Sequence, residues 1–207
     1  MEPADDVDAR LHELVELARS GSVPAVDELL EGHLPGLRAF IRLRSGPIVR
    51  GRESASDIAQ SVCREVLENV DRFQHGGEVG FKRWLYTSAL RKLQDRAEYW
   101  RRQKRDIGRE VPISPAGGSL AELSLAYRSV SSPSMQAMGN EDVARIEAAF
   151  DELTDGDREV ITLARIVGLS HKQIAETLGK SEGACRVALN RALARLSTLL
   201  DDGGEGP

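Results

Sequence analysis

Apolar residues recur with a helical period along most of this chain. Val7, Leu11, Leu14, Val15 and Ala18 share a face and predict a first helix ending near Gly21. The residues before it, 1–6, are acidic and contain a proline, which predicts a disordered tail. Ser22 and Pro24 open a second helix, because proline suits a first helical turn. Val26, Leu29, Leu30 and Leu34 continue it. Pro35 is expected to break or kink it before Leu37, Phe40, Ile41 and Leu43 resume the pattern. Gly46, Pro47 and Gly51 predict a loop.

From Ser56 the period sharpens. Ile58, Val62, Val66 and Val70 recur every fourth residue, flanked by Ala59, Cys63 and Leu67. Asp57, Gln60, Ser61, Arg64 and Glu68 fall on the opposite face. A glycine-rich loop at 74–80 follows, and then a basic helix from Phe81 to about Arg105 whose inward face is Phe81, Trp84, Leu85, Ala89, Leu93 and Trp100. Between 107 and 139 the period fails. Pro112, Pro115, Gly117, Gly118 and the serine run at 129–134 predict a flexible linker, with a short helix expected over Leu120–Tyr127.

Periodicity returns near Asn140 with Val143, Ile146, Ala149, Phe150 and Leu153. Thr154 is placed to cap the next helix, with Asp155 and Asp157 at its positive end. Val160, Leu163, Ile166 and Val167 form its apolar face. Ser170 and Gln173 then have the spacing of a capping box. Ile174, Ala175 and Leu178 face inward, and Gly179 stands where the chain must turn through the left-handed region. Ser181 caps a last helix whose expected buried stripe is Ala184, Cys185, Ala188, Leu189, Ala192, Leu193 and Leu196. Lys180, Arg186, Asn190, Arg191 and Arg195 are left for solvent or a polyanion. This is a helix-turn-helix pattern, whose second helix enters the DNA major groove. A plain helical hairpin with a solvated basic face has the same period. The division expected is therefore 1–21 (acidic tail and short helix), 22–106 (first domain), 107–139 (linker), 140–200 (second domain) and 201–207 (tail).

Composition agrees with an all-α chain, since aromatic residues are only 4% while hydrophobic residues reach 41%. The net charge of −5 argues against a nucleic-acid partner until it is divided along the chain. Residues 81–109 hold ten Lys/Arg against three Asp/Glu, and residues 32–52 hold five Arg with no acid. The excess acid lies in residues 1–31, with nine acids against two Arg. Local charge governs local attraction for phosphate. Cys63 and Cys185 each lie on an apolar face and read as buried free thiols. His12, His33, His75 and His171 lack metal-ligand spacing, so no metal and no cofactor is expected. Gly179-Lys180-Ser181 imitates the end of a phosphate-binding loop, but Ile174 stands where that motif needs glycine. No catalytic set emerges. No leader and no bilayer-spanning apolar run is visible, which predicts a soluble cytoplasmic protein without membrane insertion.

Two segments together resemble one family. DIAQSVCREVLENVDRF at 57–73, followed by FKRWLYTSALRKLQDRAEYWRRQKR at 81–105, looks like region 2 of bacterial sigma factors. LTDGDREVITLARIVGLSHKQIAETLGKSEGACRVALNRALARL at 153–196 looks like region 4. With only a linker between them, the chain resembles the extracytoplasmic-function (ECF) group of the sigma-70 family.

The resemblance implies a two-domain helical factor that is not itself an enzyme. It would bind core RNA polymerase at the β′ clamp helices and the β flap, direct it to −35 and −10 promoter elements, and help open the DNA. Asp57, Gln60, Ser61 and Arg64 would dock on the polymerase. Lys82, Arg83, Tyr86, Arg91, Lys92, Arg96, Tyr99 and Arg102 would hold the −10 region, the cations following phosphate and the tyrosines stacking on unpaired bases. The 74–80 loop would accept a flipped base. Lys180, Ser181, Arg186, Asn190 and Arg191 would meet the −35 element. An anti-sigma factor is an implied further partner. The sequence departs from many relatives at Arg91, where they carry Asn, at Gln94, where they carry an apolar residue, and at Ala188, where a cation is lost. The alternative from another class is a stand-alone helix-turn-helix regulator.

Overall fold

A computed structural model of the chain describes residues 3–70, 77–106 and 140–202. Helix α1 (Pro3–Arg19) begins earlier than the apolar period suggested, so the expected tail loses most of its length. Proline suits a first helical turn, which favours that extension. Helix α2 (Val23–Arg44) runs unbroken through Pro35. The proline forfeits one backbone bond, but Leu29, Leu30, Leu37, Phe40 and Ile41 are buried on both sides of it and hold the helix together. The expected loop contains a single turn, α3 (Pro47–Arg50), started by its proline and anchored by buried Val49.

Helix α4 (Ala55–Glu68) is capped by Ser54, whose Oγ accepts from the Asp57 N–H at 3.1 Å. Its start is thus one residue earlier than expected. Helix α5 (Gly77–Asp106) takes in Gly77–Gly80, which had read as loop. Residues 71–76, the linker 107–139 with its expected helix at Leu120–Tyr127, and residues 203–207 lie outside the described residues. Helices α1, α2, α4 and α5 pack around Val15, Leu29, Ile41, Ile58, Val62, Phe81 and Leu85, all at most 2% exposed. Gly36 lets α2 approach α5 closely, since a Cβ there would stand 2.8 Å from the Tyr86 hydroxyl.

The second half comprises α6 (Asn140–Glu152), α7 (Asp155–Ile161), α8 (His171–Leu178) and α9 (Glu182–Asp202). Thr154 caps α7 as expected, its Oγ1 accepting from the Asp157 N–H at 3.2 Å. Helix α7 then widens into a π-helical turn over Thr162–Ile166. Buried Thr162 donates its hydroxyl to the carbonyls of Arg158 and Glu159, a back-bond that competes with regular helix. Ile146, Phe150, Ile161, Ile174, Cys185 and Ala192 fill the core of this half. No strand occurs among the described residues, and the fold is all-α, with two small helical domains.

The two halves touch. α2 lies against the π turn, α6 and α7.

Candidate nucleic-acid interface

The face of α4 away from its core is polar because the core takes every fourth residue. Ile58, Ala59, Val62 and Val66 are buried, which leaves Asp57, Gln60 and Arg64 exposed and Ser61 half-buried along one side. Asp57 has a second tie: its carboxylate accepts from the Ser54 hydroxyl at 2.7 Å.

Helix α5 sorts its expected contact residues into two sets. Arg91, Tyr99 and Arg102 are exposed, Tyr99 at 48%. The others are engaged or covered. Lys82 pairs with Glu78, Lys92 with Glu65 at 2.6 Å, Arg96 with Glu53 at 3.5 Å, and Arg102, though exposed, with Glu98. Arg83 reaches Glu176 of α8 at 3.4 Å, across the seam between the halves. Tyr86, expected to stack on a base, is 5% exposed and packs edge-on against Phe40 with centroids 5.0 Å apart. Burial pushes its phenol pKa up, so it stays neutral. In this arrangement its ring is not available to a nucleic acid. Trp100 is half-buried and fixed from two sides. Its Nε1 donates to Glu53 at 2.6 Å, and the Arg52 guanidinium lies 5.5 Å from its ring centroid. The expected base-accepting loop is only partly described, and Gly77–Gly80 within it are helical.

The helix-turn-helix forms as the sequence indicates. Ser170 Oγ accepts from the Gln173 N–H at 3.3 Å, and Gln173 Oε1 accepts from the Ser170 N–H at 2.7 Å, completing the capping box. Gly179 turns the chain at φ 64°, in the left-handed region. Ser181 Oγ accepts from the Ala184 N–H at 3.2 Å and starts α9. Lys180, Ser181, Arg186, Asn190 and Arg191 are all exposed on or beside the N-terminal half of that helix. Arg195 is exposed as expected, and its Nη1 also donates to buried Asp157 at 2.6 Å, tying α9 to α7. One expectation changes here. Ala184 is not in the buried stripe but exposed, as is Val187 beside it.

The seam between the halves was not legible in the sequence. Arg42 makes a bidentate pair with Glu147, Nε to Oε1 at 2.5 Å and Nη2 to Oε2 at 2.9 Å. Arg50 pairs with Asp151, and Arg44 donates to the Asp155 carbonyl at 3.1 Å. Burial lowers the Arg44 pKa, with Glu159 opposing the shift. The five-arginine excess of residues 32–52 was visible, but its acidic counterparts lie about a hundred residues on. A groove edged by Arg101 and Arg102 of α5 and by Asp151, Asp155 and Glu159 of the second half runs beside these contacts.

Comparison with known proteins decides the family. Sigma-70 region 2 matches residues 29–106, and Sigma-70 region 4 matches residues 144–196. An ECF RNA polymerase sigma factor, SigD of Mycobacterium tuberculosis, is 31% identical over 196 residues, covering 95% of this chain and 86% of the relative. The chain belongs to the ECF group of the sigma-70 family. Other similar proteins are the ECF RNA polymerase sigma factor BldN of Streptomyces coelicolor, 27% identical over 97% of this chain and 70% of its own, and the RNA polymerase sigma factor CnrH of Cupriavidus metallidurans, 29% identical over 93% and 95%. Among solved structures, CnrH in complex with the cytosolic domain of CnrY shares the fold, with a TM-score of 0.60 at 24% identity over 93% of this chain and 98% of that one. As a sigma factor, the chain directs transcription initiation. No described helix is long and apolar enough to cross a membrane.

Proposed function

We propose that the chain binds core RNA polymerase through the exposed side of α4, holds the −10 region along α5, and reads the −35 element with the N-terminal half of α9. The observation that carries this is the order of three surfaces on one chain: a polar face on α4, a basic α5, and a helix-turn-helix, within segments matched by regions 2 and 4. Asp57, Gln60, Ser61 and Arg64 would exchange hydrogen bonds and charge with the β′ clamp helices. Of the expected α5 contacts, Arg91, Tyr99 and Arg102 are exposed and would meet an opened strand, and Lys82, Arg83, Lys92 and Arg96 would exchange their carboxylates for phosphates. Lys180, Ser181, Arg186, Asn190 and Arg191 would meet duplex DNA. Region 4 would also meet the β flap.

The factor itself performs no chemistry on this reading; polymerase does, inside the cell where promoter DNA lies. A protein inhibitor of the anti-sigma kind is a further proposed partner, supported by the complex in which the structural neighbour was solved. The division into domains at 22–106 and 140–200, joined by 107–139, is proposed in the same terms. The stand-alone regulator is set aside, because a region 2 match over 29–106 and relatives named as sigma factors give it no footing.

The test is in vitro transcription by core polymerase on a genomic library, with and without the chain. New start sites should appear only with the chain present. Their absence, with active core enzyme, would contradict the proposal.

A further inference from the structure

The recognition helix presents an apolar side chain where a DNA-reading surface has a specific use for one. Ser181 fixes the start of α9 through its bond from the Ala184 N–H. Cys185, Leu189 and Ala192 are at most 6% exposed, and their burial fixes the rotation of the helix about its axis. Ala184, Val187 and Arg191 then lie on one exposed line at helical spacing, with Arg186 and Asn190 on the adjacent line. Val187 is 46% exposed and is not among the apolar side chains packed against the core.

Isolated apolar residues are ordinary on protein surfaces. What distinguishes Val187 is its position: the second turn of the recognition helix, where helix-turn-helix proteins reach base edges, between side chains suited to purines. The major groove edge offers one apolar group, the C5 methyl of thymine. Arginine suits guanine there, and asparagine suits adenine.

We infer that Val187, with Ala184 beside it, reads thymine methyl groups in the −35 element and so helps set which promoters this factor selects. Arg186 and Asn190, on the next line of the helix, take the neighbouring purines. The recognised element therefore contains at least one thymine, on either strand, next to a guanine or adenine. The inference rests on the −35 reading proposed above. It adds which atom of the base is recognised and by which side chain.

The experiment uses holoenzyme assembled from core polymerase and the full chain, with promoters recovered from the genomic library. Each −35 thymine is replaced in turn by deoxyuridine, which lacks only the methyl group. Promoter binding is then measured for wild type, V187A and R186A. For wild type, deoxyuridine at one or two positions should weaken binding about threefold to fivefold, the scale of one apolar group returned to water. V187A should show a similar loss on the thymine template and no further loss on the deoxyuridine template. R186A should remain sensitive to the methyl group. Because Val187 is exposed, the thermal melt of V187A should match wild type.

Equal methyl sensitivity in wild type and V187A would overturn the inference, as would no sensitivity in wild type. A V187A loss of the same size on every template would assign Val187 to a protein contact instead. Recovered promoters with no −35 preference at all would remove the −35 reading itself, an outcome separate from the methyl test.

Discussion

His33 shows what a single residue contributes beyond its place in a pattern. It lies on α2, mostly buried, with its ring stacked on Phe81 at 5.6 Å and its Nε2 buried without a hydrogen-bond partner. Burial lowers its pKa, Lys82 lowers it further, and Glu78 partly opposes them. The folded state therefore binds fewer protons than the unfolded chain just below the ordinary histidine pKa of 6.5. Stability from this residue is full above that pH and is lost as pH falls through it. The melting temperature should drop between pH 7.5 and pH 5.5 in wild type, and by less in His33→Phe, which keeps the ring contact. Calorimetry of the two proteins checks this, and parallel curves would contradict it. Tyr86 teaches the complementary point. Its position beside Leu85 gave no sign of burial, because the residues covering it come from α2 and from the second half of the chain. A residue whose environment is made by distant segments cannot be placed by local period.

At the scale of elements, most of the architecture was legible. Helix α4 follows from its apolar repeat, helix α8 from its apolar repeat and the Ser170 capping box, and the turn at Gly179 from its backbone freedom. The misreadings have physical causes. Pro35 looked like a break, but tertiary burial outweighs one lost backbone bond. The loop at 46–51 held a helical turn too short to show a period. The π turn depends on a hydroxyl back-bond from Thr162 that no hydrophobic pattern encodes.

Helix α4 also sets how its docking face should be tested. Asp57 is part of the Ser54 cap, so its removal disturbs the helix as well as any contact. Gln60→Ala with Arg64→Ala is the cleaner pair. Each lost polar contact costs about 1 kcal/mol, so the pair should lower core polymerase affinity roughly thirtyfold with the melting temperature unchanged. Competition against wild type measures it, and equal affinity would contradict the assignment. Asp57→Ala should lower both affinity and melting temperature. On α9, Arg186→Ala should relax preference at one promoter position, at a cost of about 1–3 kcal/mol, as the loss of a purine contact requires. A uniform loss on every template would assign Arg186 to phosphate instead, and unchanged transcription would exclude both roles.

For the whole molecule, the seam changes the reason why free protein should bind promoter DNA poorly. The sequence suggested two modules with no fixed spacing. The structure instead has them closed on each other. Arg42, Arg44 and Arg50 are held by the second half, Arg83 reaches Glu176, and Tyr86 is covered. The Arg42–Glu147 pair is only 20% and 11% exposed, so it is weakly screened, and losing one partner leaves a desolvated charge. Glu147→Ala with Asp151→Ala should favour opening, because Arg42 and Arg50 regain water when the halves part. X-ray scattering should show a larger radius of gyration for this variant than for wild type. Identical radii would show that these pairs do not hold the halves together.

The central claim is that polymerase, not the free chain, makes this protein bind and open a promoter. The most direct measurement is permanganate reactivity of thymines around the start site of a promoter recovered by transcription, with chain alone, core polymerase alone, and both. Reactive thymines and a −35/−10 footprint are predicted only with both together. A specific footprint by the chain alone at roughly nanomolar concentration, to which polymerase adds nothing, is the behaviour of a stand-alone regulator and would contradict the account.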